Sequence, residues 1–156
     1  MKEISPLPIL RIYRFPMVLL ILMVMLNISC SRSKSSDPSG GPTLVNYSGT
    51  FVASGGQDST KAGGTVKATF SSSTRVLTYS ITWSSLSSNP VAMHFHDDGP
   101  VIVTLSGFPV SKTGSLDGTA TLTPSQVSDL SAGLIYAMIH TEIYSAGEIQ
   151  ATLVKQ

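Results

Sequence analysis

Charge is scarce in this chain. Lys, Arg, Asp and Glu together make up 12% of its 156 residues, against about a quarter in an average soluble domain. The basic residues are scattered singly. Three of the ten (Lys2, Arg11 and Arg14) and one of the nine acidic residues (Glu3) precede Cys30, so the remainder carries about one net negative charge. A nucleic-acid partner needs a basic face to release counterions, and none can be built from this composition. Cysteine is down to one, Cys30. That excludes an intrachain disulfide, so an exported domain of this sequence must be held by its core or by a metal. Serines abound, but none sits in a Gly-x-Ser-x-Gly elbow, and no nucleophile–base pair can be assigned. The residue supply points away from an enzyme and towards a binding or structural module.

What is present first is an export pattern. Lys2, Arg11 and Arg14 precede an unbroken apolar run from Met17 to Leu26. That run suits the h-region of a signal peptide and is short for a bilayer span. It ends in Leu26-Asn27-Ile28-Ser29-Cys30. A small residue directly before a lone cysteine resembles the lipobox of bacterial lipoproteins, although the usual Leu three residues before Cys is Asn27 here. The resemblance implies a signal peptide over 1–29, a lipid on Cys30 and attachment to the membrane through it. Ser31 rather than Asp follows the cysteine, which by the same resemblance implies the outer membrane of a bacterial cell envelope. Residues 30–42 are rich in Ser, Gly and Pro and read as a flexible tether.

Residues 43–156 read as short strands separated by turns. Thr65–Phe70 alternates, with Val66, Ala68 and Phe70 on one face, and Val76–Trp83 alternates with Leu77, Tyr79, Ile81 and Trp83 inward. A strand over 44–53, another over 91–96, a turn at Asp97-Asp98-Gly99-Pro100 and strands over 101–105, 115–122, 134–140 and 148–154 complete the set. Thr123, Pro124 and Gly133 bracket one short helix as cap, first turn and stop. About eight strands at this spacing predict an all-β, antiparallel Greek-key sandwich or barrel of immunoglobulin-like type with one short helix.

All three histidines fall in two blocks: His94 and His96 in Met93–Pro100, and His140 in Tyr136–Thr141. Alternation puts Val91, Met93 and Phe95 on the core face and His94 and His96 together on the outer face, about 6.6 Å apart along the strand. Two imidazoles so spaced can converge on one Cu or Zn ion. A third ligand would come from a neighbouring strand: His140, with Glu148, Asp97 and Asp98 as the nearby carboxylates. The alternative is that the imidazoles only hydrogen-bond loop backbone, Thr141 or Glu148. Both versions predict His94, His96 and His140 in one cluster with Glu148 in reach.

These blocks also carry a family resemblance. His94-Phe95-His96, Gly99-Pro100-Val101-Ile102 with Leu105, Gly118-Thr119-Ala120, Tyr136, Ile139-His140-Thr141 and Gly147-Glu148-Ile149 resemble the CHRD domain, named from chordin and found in many microbial exported proteins. The match runs from about Tyr47 to Leu153. It implies an immunoglobulin-like β-fold outside the cytoplasm and no general activity. The chain departs from the pattern twice. Gln150-Ala151 stand where Arg-Gly is usual, and Met138 stands where Asn is usual. The outward His-x-His is also loosely similar to the copper strand of copper/zinc superoxide dismutases, whose two-metal site needs more histidines than three. Two functions follow as expectations: a membrane-tethered, non-enzymatic module binding an unidentified protein or ligand, or a single-metal Cu or Zn protein, redox-active or not.

Overall fold

The computed structural model describes residues 41–55 and 59–156. The expected signal peptide, Cys30 and nearly all of the expected tether lie outside the described residues. No helix among the described residues is long and apolar enough to cross a membrane.

Among the described residues, ten strands form two antiparallel sheets. They are β1 (Leu44–Thr50), β2 (Val52–Ala53), β3 (Gly63–Ser71), β4 (Val76–Ser84), β5 (Pro90–Asp97), β6 (Val101–Leu105), β7 (Gly114–Thr121), β8 (Ile135–Thr141), β9 (Ile149–Thr152) and β10 (Val154–Lys155), with helix α1 (Pro124–Ala132) between β7 and β8. One sheet has the order β10-β1-β3-β4-β7 and the other β2-β9-β8-β5-β6. The architecture is the expected all-β sandwich, and neither sheet closes into a barrel. The expected strand over 44–53 divides between the sheets. Phe51 is buried at the crossing, and Val52, grouped with the apolar residues of that strand, is 58% exposed on the second sheet. The last strand divides in the same way, β9 in one sheet and β10 in the other.

Alternation sets the core. Val66, Ala68 and Phe70 of β3 and Leu77, Tyr79, Ile81 and Trp83 of β4 point inward and are buried. They meet Met93 and Phe95 of β5, Ile135, Ala137 and Ile139 of β8, and Ile149 and Ala151 of β9. Tyr79 and Phe95 join the two sheets edge to face, with centroids 5.1 Å apart at 84°. Two of the large rings face glycines across the β4–β7 pair: Tyr79 opposite Gly118 and Trp83 opposite Gly114. A Cβ at either glycine would collide with the ring, so the missing side chain is what lets the aromatic lie flat on the neighbouring strand. The Trp83 indole donates to the Ser111 carbonyl at 2.9 Å, which satisfies the polar edge of a buried ring.

The helix begins and ends where its residues dictate. Thr123 caps it in a capping box with Gln126, Pro124 opens it, and Gly133 closes it at φ 75°.

One expectation about facing fails. Val91 was expected in the core with Met93 and Phe95, yet it is 53% exposed. An irregularity in the β5–β8 register between Pro90 and Ala92 turns the strand there, so Pro90 is buried instead. A bulge inserts one residue and reverses facing on one side of it.

Trp83→Ala removes the largest core ring and orphans its indole acceptor. The expected loss is about 3–5 kcal/mol, measured by denaturant unfolding. A loss below about 1 kcal/mol would show that Trp83 does not hold the sheets together.

Candidate metal centre

β5 and β8 are central neighbours in the second sheet, and their register pairs Ala92 with His140, His94 with Met138, and His96 with Tyr136. All six side chains point away from the core. The expected juxtaposition is therefore met: His94 and His96 from one strand and His140 from the next. The ring centroids are 5.6 Å apart for His94–His96, 5.0 Å for His94–His140 and 6.1 Å for His96–His140. One donor nitrogen from each ring lies within 4.8 Å of the others.

Local sequence fixes two of the three rings. Asp98 and Gly99 form a two-residue hairpin loop with positive φ at both, 45° and 125°, the conformations such a turn requires and Asp-Gly supplies. That turn presents the Gly99 carbonyl to His96 Nδ1 at 2.8 Å. The loop after β8 presents the Ser145 carbonyl to His140 Nδ1 at 2.9 Å. A carbonyl only accepts, so both Nδ1 atoms carry the proton and both Nε2 atoms of the neutral rings are bare. His140 Nε2 faces His94 Nδ1 at 3.2 Å. His96 Nε2 is buried and has no hydrogen-bond partner. The His96 ring is held from one side by Tyr136, stacked on it at 5.0 Å with an interplanar angle of 7°.

The donor set fits a divalent or monovalent transition metal. Metal–imidazole bonds of about 2.0–2.1 Å in tetrahedral array place nitrogens about 3.3 Å apart, and the nearest pair here is at 3.2 Å. Carbonyls that orient the distal ring nitrogens are the usual outer support of metal-binding histidines. Protonation is disfavoured at His94: burial first, then the neighbouring His140 and His96, push its pKa down. An imidazole that resists protonation keeps its lone pair available.

Glu148 does not join this cluster. It is fully buried on the inner side of the same sheet, beside Thr141 rather than His140. Burial would push its pKa up, but hydrogen bonds outweigh it and hold the carboxyl below the usual glutamate value. Oε1 accepts from Thr60 Oγ1 (2.6 Å), Ser87 N (2.9 Å) and Ser87 Oγ (2.6 Å), and Oε2 accepts from Thr141 Oγ1 (2.8 Å). Alternation explains the separation: consecutive residues of a strand face opposite ways, so His140 looks out and Thr141 looks in. Asp97 and Asp98 also stay outside the cluster. Burial, then the Asp129 carboxyl beside it, raise the pKa of Asp97. Sequence reading missed the stacking ring of Tyr136 and the carbonyls of Gly99 and Ser145. The tight Asp-Gly turn after His96 was the available signal for Gly99, since a loop that short returns its backbone onto the strand end.

Glu148→Gln leaves the hydroxyls free to reorient but removes the charge that strengthens four hydrogen bonds. The expected cost is about 1–3 kcal/mol. Because the folded-state pKa is depressed, the stabilisation is fully present above the unfolded-state value and is lost as pH falls through the lower folded one. Unfolding curves across that acid window should slope less for the variant than for the parent. Equal slopes would show that Glu148 is not the titrating group.

No curated protein and no solved structure matches this chain. The family model of the CHRD domain matches residues 45–153. That span runs from β1 to the strand end beyond β9 and contains both histidine blocks and the Gly147-Glu148-Ile149 segment. With its sandwich fold and this match over most of its length, the chain belongs to the CHRD domain family.

Proposed function

We propose that this chain is a non-enzymatic binding module of a bacterial cell envelope, and that its binding site is the three-histidine centre, which takes a single Cu or Zn ion. One observation carries the reading. The Nε2 of His96 is a buried acceptor with nothing to accept from, held bare because Gly99 fixes the proton on Nδ1. Native structures rarely leave such an atom idle, and a metal ion would use it. When bound, the metal supplies a positive centre on the outer face of the sheet, to which a further ligand or partner can add. The chain's own residues orient His96 and His140, disfavour protonation of His94 and screen one side with Tyr136. Membrane attachment rests on the Cys30 segment: a lipid there, followed by a polar tether, would hold the domain at the envelope surface.

Metal loading has a thermal signature. A ligand at a hundred times its Kd stabilises by about 2.7 kcal/mol, so Zn(II) or Cu should raise Tm and a chelator should reverse it. His96→Ala and His140→Ala should each abolish the response. Binding should weaken as pH falls below the ordinary histidine range, because His94 resists protonation until then and a protonated imidazole cannot ligate. A melting temperature indifferent to chelator and to both metals would refute the metal site. Elemental analysis of protein isolated from its own cells decides between copper and zinc, and a redox role requires copper.

Attachment is tested by intact mass. Protein extracted from membranes should begin at Cys30 and carry a diacylglyceryl group, and Cys30→Ala should release it to the aqueous phase of a detergent partition. A mature chain starting elsewhere would refute the anchor.

A further inference from the structure

We infer that Met138 is a fourth ligand of the histidine centre and that its thioether makes the site selective for Cu(I) over Zn(II). The inference rests on the three-histidine reading and deepens it.

Register carries the argument. Three rows of outward side chains cross β5 and β8: Ala92 with His140, His94 with Met138, and His96 with Tyr136. His140 and His96 therefore sit one row to either side of the middle row and on opposite strands. Along a strand those two rows, four residues apart, are about 13 Å apart, and the strands add a further separation of about 4.8 Å. Yet the two ring centroids are only 6.1 Å apart, so both rings lean towards the middle row. An ion shared by all three histidines consequently lies over that row. β5 contributes His94 to it and β8 contributes Met138. The four residues make the corners of one quadrilateral, three imidazoles and one thioether.

Met138 has the reach for this position. Directly opposed residues have Cβ atoms about 4.5–5.5 Å apart, and methionine spans such a gap through three rotatable bonds. Although it lies on an outer sheet face, only 8% of it is exposed. Its side chain packs over Gly147, where a Cβ would collide with the sulfur; Gly147 has φ 118°. Gly147 leads into β9, which flanks β8 on the side away from β5, so the sulfur leans towards β9 and a change of side-chain rotamer is what would bring it over the middle row.

The chemistry follows from ligand softness. A thioether favours Cu(I), whereas imidazole serves zinc and copper alike. Zinc sites draw on imidazole, thiolate and carboxylate. The only thiol in the chain is Cys30, and the domain's other thioether, Met93, is buried in the core, so Met138 is the soft donor on the histidine face.

The test compares the full chain, extracted in detergent, with Met138→Leu, which keeps a similar apolar volume. Each is titrated anaerobically with Cu(I), with Ag(I) as a redox-silent analogue, and with Zn(II). Met138→Leu should bind Cu(I) and Ag(I) about tenfold or more weakly and Zn(II) within about twofold of the parent. X-ray absorption of the Cu(I) form should show a sulfur neighbour in the parent and none in the variant. Unchanged Cu(I) affinity, an equal loss for all three ions, or no sulfur neighbour would overturn the role of Met138 while leaving the three-histidine site standing. Failure of the parent to bind any of the three ions would overturn both.

Discussion

Everything at the histidine centre depends on the antiparallel register between β5 and β8. A slip of one residue by β5 would turn His94 and His96 into the core and bring Met93 and Phe95 to the surface, while His140 of β8 stayed outside. The register is not free to slip. Met93 and Phe95 on β5 and Ile135, Ala137 and Ile139 on β8 are almost completely buried, and each apolar side chain returned to water would cost about 1.5–3 kcal/mol. The apolar face thus positions the polar one. The Asp-Gly hairpin then aims a carbonyl at His96, and the loop after β8 aims another at His140. Burial sets where the rings are, and backbone carbonyls set which nitrogen each ring offers.

The inner face of the same sheet solves a different problem. Glu148 is a carboxylate fully removed from solvent, and its four donors are neutral: three hydroxyls and one amide N–H. Burial opposes its charge, and the hydrogen bonds prevail. The donors come from three separate parts of the chain: Thr60, Ser87 and Thr141. The loop after β2 and the loop after β4 are thereby tied to the end of β8. Backbone bonds reinforce the knot, with Glu148 N donating to Ile139 O and Ser54 N to Glu148 O. The proximity of Glu148 to His140 in sequence therefore serves two faces: one residue of the pair works outside the sandwich and the other inside.

Close backbone approach completes the scaffold. Tyr79 and Trp83 lie over Gly118 and Gly114, and Met138 lies over Gly147. In each case a large side chain occupies the space that a missing Cβ leaves, so the tightest packing is made from pairs of unequal size. Such pairs hold density near that of a crystal without straining rotamers.

Much of this was legible from the chain. Period-2 alternation named the core residues of β3 and β4, because a half-buried antiparallel strand must alternate. Thr123, Pro124 and Gly133 bounded the helix, because capping and stopping are local chemistry. The two histidine blocks announced a shared location. Legibility thus reached as far as neighbours within a few residues act on one another: strand periodicity, turns, caps and the outward facing of His94 and His96. Tertiary structure alone decided the rest. It carried the first and last expected strands across from one sheet to the other, bulged β5 at Pro90 so that Val91 faced solvent, and placed Glu148 on the opposite side of the sheet from His140. It also chose Gly99 and Ser145 as the partners that leave His96 and His140 with bare nitrogens. Those outcomes depend on which strands pair and in what register, and that choice is made by burial summed over the whole sandwich, which no short stretch of chain encodes.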